Sequence, residues 1–117
     1  MKVRRVVALL LLLSGCMPPA CSDDRDRAVR KDVALVVQEE GLLASAAHQR
    51  LVALGADAIP IVETGFYAAN PGARIRLLKV LADIGSPAAR PILEHMVRRD
   101  PDPDVREAAQ GAISRLR

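Results

Sequence analysis

Few side chains in this 117-residue sequence could do chemistry, and their spacing argues against most reactions such groups perform. The two histidines, His48 and His95, are far apart, and neither falls in an HExxH or a Cys/His ligand spacing. Each reads as a solvated helix residue. Asp100, Asp102 and Asp104 alternate in the run DPDPD as calcium-loop carboxylates do. Pro101 and Pro103 interrupt them, and neither the loop glycine nor the closing glutamate is in place. The run reads instead as a loop in which an aspartate caps the last helix near Arg106. Two thiols remain, Cys16 and Cys21. No GxSxG, Walker loop or GxGxxG occurs. No catalytic residue, metal ligand or cofactor is therefore assigned, and the chain is expected not to be an enzyme.

The elements that would position any site centre on the stretch Ala73 to Arg99, which reads as two antiparallel helices. Ala73, Leu77, Val80, Leu81 and Ile84 fall on one face of a 3.6-residue helix, with Arg74, Arg76, Lys79 and Asp83 mostly on the other. Gly85 supplies the left-handed residue that ends a helix, Ser86 caps the next, and Pro87 suits its first turn. Ile92, Leu93, Met96 and Val97 form the second buried stripe. Two such helices cannot bury both stripes alone, so neighbours are required.

Internal repeats supply those neighbours. Val105, Arg106, Ala109, Ala112, Ile113 and Leu116 repeat the spacing that starts at Ala73. Leu43, Ala47, Leu51, Leu54 and Gly55 match Ala73, Leu77, Leu81, Ile84 and Gly85. Pro60 and Pro91 stand alike near the starts of second helices. A period of about 30 residues with two helices per unit marks a helical solenoid. The fold class is thus all-α, a short α-solenoid of about six antiparallel helices over residues 28–117. Its first helix is expected from Ala28 to Glu40, with Val29, Val33, Val36 and Val37 on one face. The β-branched run VALVV would also suit a strand, but no partner strand exists in the chain.

These repeats resemble HEAT repeats, most closely the short bacterial type called phycobilisome-lyase-like, from roughly Leu43 to Arg117. The resemblance rests on Val105-Arg106, Ala109, Ala112-Ile113 and Leu116 for a first helix. Leu54-Gly55 through Ala58-Ile59-Pro60, and Ile84-Gly85 through Ala88 and Pro91, carry the turn and second helix. It implies a protein-binding module, with second helices lining the concave face. It also implies that Arg74 and Arg106, at one repeat position, pair with loop acids and serve structure.

The N-terminus carries an address. Lys2, Arg4 and Arg5 precede an apolar run from Val6 to Leu13, far short of the roughly 20 residues a spanning helix needs, so residues 1–15 read as a secretory signal. Leu13-Ser14-Gly15-Cys16 resembles the lipobox of bacterial lipoproteins, which makes Cys16 the mature N-terminus and the site of lipid attachment. An ordinary secretory signal containing a cysteine is the alternative. By the same resemblance Met17, not being aspartate, favours the outer membrane over retention at the inner one. Residues 16–27, ending MPPACSDDRDR, read as a flexible tether. Cys21 is left either as a free thiol or for an intermolecular bridge.

Removing Lys2, Arg4 and Arg5 leaves 14 basic residues against 14 acidic ones. A neutral mature chain lacks the basic footprint of nucleic-acid binding. Phe66 and Tyr67 are the two aromatic residues. Phe66 is spaced with Ile59 and Val62 and should be buried, so Tyr67 is the aromatic anchor open to a partner. The expected function is that of a lipid-tethered adaptor in the cell envelope, facing the periplasm and binding a protein or peptide through Glu63, Tyr67, Glu94 and Arg98. The alternative is an accessory or lyase-like maturation factor acting on a protein substrate.

Overall fold

The structure, a computed structural model, describes residues 23–38, 40–67 and 69–116. The box Leu13-Ser14-Gly15-Cys16 and Cys21 lie outside the described residues. Regular structure among the described residues is entirely helical. It comprises α1 (residues 23–38), α2 (Leu42–Leu54), α3 (Ile59–Gly65), α4 (Pro71–Ile84), α5 (Arg90–Arg99) and α6 (Pro103–Ser114). Single 3-10 turns, Gly55–Ala58 and Pro87–Ala89, lead into α3 and α5. The VALVV run is helical.

The helix boundaries follow from capping. Asn70 accepts the Ala73 N–H at 2.8 Å to start α4, with Pro71 following where no N–H is needed. Gly85 ends α4 in the left-handed conformation, at φ 68° and ψ 15°, which an L side chain would resist. Ser86 then accepts the Ala88 N–H at 3.2 Å. Asp102 accepts the N–H groups of Asp104 and Val105 to start α6.

The helices form two layers. The first holds α2, α4 and α6, with α4 packed between the other two. The second holds α1, α3 and α5. Within it α1 runs alongside α3 in the same direction: Arg25 pairs with Asp57 at 3.2 Å, and a side chain added at Gly65 would meet Val33, each pair 32 residues apart. α1 therefore occupies the place of a second helix whose own first helix does not precede it among the described residues.

The core fills the space between the layers. Leu51, Leu77, Leu78, Leu81 and Leu93 are its largest fully buried side chains, joined by Val36, Val62, Val80 and Val105. Each such aliphatic group contributes about 1.5–3 kcal/mol by leaving water. Phe66 is buried as the spacing predicts.

Two expectations need correction. α1 is already helical at Asp23, ahead of the expected start at Ala28, so helix extends into the stretch read as tether. Within this first part of α1, Arg27 pairs with Asp24 at 3.1 Å, three residues apart on the helix. Leu43, expected in the core by its match to Ala73, is 59% exposed, and Leu42 is 89% exposed. α2 stands at the edge of its layer among the described residues, so its first turn lacks the neighbour that buries Ala73.

Candidate functional site

The second helices of adjacent units leave a groove of about 770 Å³ between α3 and α5. From α3 and its leading turn it receives Ala56, Ile59, Pro60, Glu63 and the Phe66-Tyr67 pair. From α5 it receives Pro91, Ile92, His95, Met96 and Arg99. Pro60 and Pro91 sit in the first turns of their helices, where each presents a rigid apolar ring and loses no hydrogen bond. Tyr67 stands at the rim, 86% exposed, while its neighbour Phe66 is buried beneath. An apolar floor with a few convergent polar groups is the usual form of a binding cleft.

Of the four residues expected on the binding face, Glu63 and Tyr67 line this groove. Glu94 and Arg98 do not. α3 and α5 are equivalent at an offset of 31 residues, as their prolines show. A groove between two parallel, equivalent helices is walled by opposite flanks of them, so the α5 wall comes from one position further round. His95 and Arg99 therefore take the places expected for Glu94 and Arg98. His95, read as solvated, is exposed but on this wall. The helical spacing from Pro91 to His95 to Arg99 carried that signal.

Beneath one end of the groove lies a buried charge pair. Arg74 Nε is 2.9 Å from Asp100 Oδ2, Nη2 donates to Asp100 Oδ1 at 3.2 Å, and Nη1 donates to the Ala69 carbonyl at 2.8 Å. The angle at Nε makes no hydrogen bond, so that buried N–H is held by charge alone. Asp100 also accepts the Asp102 N–H at 3.0 Å. Arg106 repeats the arrangement one unit on, donating to the carbonyls of Asp100 and Pro101. Both arginines thus fix the loop that precedes their own helix, and the DPDPD aspartates serve as cap and counter-ion.

A second, smaller cleft of about 400 Å³ opens by α2, lined in part by Glu40, His48, Arg76 and Lys79. Arg76 and His48 in it are engaged. Arg76 donates to the carbonyls of Val36 and Val37, each at 2.9 Å. His48 Nε2 lies 2.7 Å from Asp83 Oδ2, and Arg115 donates to Asp83 Oδ1 at 2.8 Å. Asp83 so joins α2, α4 and the end of α6. Burial alone would raise its pKa, but hydrogen bonds from His48 and Arg115 outweigh that and hold it below the ordinary value. His48 is accordingly a half-buried structural partner and not a solvated residue. Sequence spacing gave no sign of this pairing.

Among the described residues, no group of three or more His, Cys, Asp or Glu side chains is placed to hold a metal ion. Nor is any helix among them long and apolar enough to cross a membrane.

Residues 19–114 match the family described as HEAT repeats. A bilin biosynthesis protein, RpcF, from Synechococcus sp. (strain WH8020) is 32% identical over 74 residues, covering 63% of this chain and 35% of that protein. The chain thus spans about a third of the length of the curated relative it matches. No solved structure matches.

Proposed function

This chain belongs to the HEAT-repeat family, and from that premise we propose that it is an envelope adaptor, lipid-tethered through Cys16, that binds a segment of a partner protein in the α3–α5 groove. The observation that carries the reading is the exposed Tyr67 ring beside an apolar floor framed by Pro60 and Pro91. Tyrosine gives a large contact area at low cost in side-chain entropy, and it is enriched where interfaces concentrate their energy. Replacing Tyr67 by Ala should weaken capture of the native partner from crosslinked envelopes by about tenfold or more, as loss of an anchor worth upwards of about 1.4 kcal/mol requires. Unchanged capture would remove the groove from the assignment.

Support for the tether is the order of its parts: Lys2, Arg4 and Arg5, the apolar run to Leu13, then Ser14-Gly15-Cys16. The thiol is the nucleophile that lipid transfer needs. Cys16→Ala should release the chain from membranes. Normal processing with continued membrane retention would refute the anchor. On this reading the folded body faces the periplasm, at the outer membrane.

A second reading draws on the relative named for bilin biosynthesis. On it, the chain is an accessory or maturation factor that presents a protein substrate for modification, and the groove holds that substrate. Turnover of a protein substrate that depends on the purified chain would favour it over a passive adaptor.

A further inference from the structure

The walls of the groove differ in charge. The α3 wall carries one charged residue, Glu63, whereas the α5 wall carries His95 and Arg99, with Arg90 and Arg98 exposed elsewhere on the same helix. Among the described residues, none of Arg90, Arg98 and Arg99 takes part in an ion pair. The deeper cation, Arg74, is by contrast paired with Asp100 and bonded to the Ala69 carbonyl. Arg98 and Arg99 lie in the last turn of α5, where they offset the helix dipole. Arg90 opens α5, where the dipole disfavours a cation, so helix stability does not account for it. From Cys16 onward the chain carries 14 basic and 14 acidic residues, which makes this concentration of positive charge a local property of α5.

Resting on the groove as the peptide site, we propose that its occupant is a protein segment bearing an apolar side chain next to one or more carboxylates. The apolar group seats on the Pro60, Pro91 and Ile92 surface beside Tyr67. The carboxylates face His95 and Arg99, with Arg90 and Arg98 adding long-range attraction. The groove's other carboxylate, Asp100, is already paired with Arg74, so a basic segment would meet Glu63 alone in compensation and is disfavoured.

The test is a library of random 12-residue peptides displayed on phage and panned on the purified, immobilised chain at neutral pH and low salt. Enriched sequences should carry Asp or Glu within two positions of Leu, Ile or Phe. A synthetic representative should bind Arg99→Glu about tenfold more weakly, and its Lys-for-acid counterpart should bind Arg99→Glu better than the unaltered chain. Arg99 and Tyr67 are both exposed, so Arg99→Glu and Tyr67→Ala should keep the helical circular-dichroism signal. Enrichment of neutral or basic sequences that still depends on Tyr67 overturns the acidic preference and leaves the groove standing. Enriched peptides indifferent to both Tyr67→Ala and Arg99→Glu, or no enrichment at all, overturn both. Binding of phosphatidylglycerol vesicles that is lost in Arg99→Glu but kept in Tyr67→Ala reassigns the cations to a lipid surface and overturns the peptide proposal.

Discussion

Arg74 and Asp100 hold two repeat units together from inside: their side chains are 16% and 4% exposed, and Nε sits 2.9 Å from Oδ2. One residue belongs to the first helix of its unit and the other to the loop that starts the next. Asp100→Ala would leave a guanidinium buried with its charge unanswered, at a cost of about 3 kcal/mol. Urea unfolding should show that loss, and the double change Arg74→Met with Asp100→Ala should cost less than Asp100→Ala and Arg74→Ala added together.

Gly65 is where α1 and α3 touch. A Cβ there would lie 2.7 Å from Val33 Cγ1 and 3.1 Å from Leu77 Cδ1, so Gly65→Ala pushes α1 away from α3 and crowds α4. A destabilisation of about 1–3 kcal/mol is expected, as for other overpacked sites. Val33→Ala in the same chain should recover part of it, which thermal melting of the three variants will show.

Asp83 sets an acid limit on stability. Its carboxyl titrates below the ordinary value of 3.8 in the folded chain because His48 and Arg115 bond the charged form, against the opposing effect of burial. Its contribution is therefore complete above pH 3.8 and disappears as pH falls through the lowered value. Asp83→Asn should lower the unfolding midpoint at neutral pH, and the gap from the unaltered chain should close progressively below pH 3.8.

Arg76 closes the end of α1. The carbonyls of Val36 and Val37 lie in its last turn, where no helical N–H is left to reach them, and the guanidinium fork bonds both at 2.9 Å. Arg76→Lys offers a point charge in place of the fork and should recover little of the roughly 1–3 kcal/mol lost in Arg76→Ala. Faster hydrogen exchange confined to the end of α1 would accompany both changes.

Features set by local chemistry were legible before the structure was known. Gly85, Ser86 and the paired prolines dictate turns through their own backbone preferences, and the apolar spacing dictates which faces meet. Contacts that join distant units were not. Nothing near His48 announces Asp83, because the pair forms only once α2 and α4 stack. Glu94 and Arg98 were placed on the binding face as exposed positions of a second helix, which does not record that neighbouring units face each other with opposite flanks. Leu43 misled in a related way: its spacing is that of a core residue, and only the lack of a neighbour beside α2 exposes it.

The layer order makes one use of this fold unusually direct. The described helices alternate from a second-layer helix at α1 to a first-layer helix at α6, so a duplicate joined through a short turn would resume the alternation without a break. Tandem copies fused this way should form one longer rod, whose unfolding grows more resistant with each added copy as nearest-neighbour interfaces accumulate. The groove between α3 and α5 would then recur along that rod, turning a single docking cleft into an evenly spaced, multivalent array.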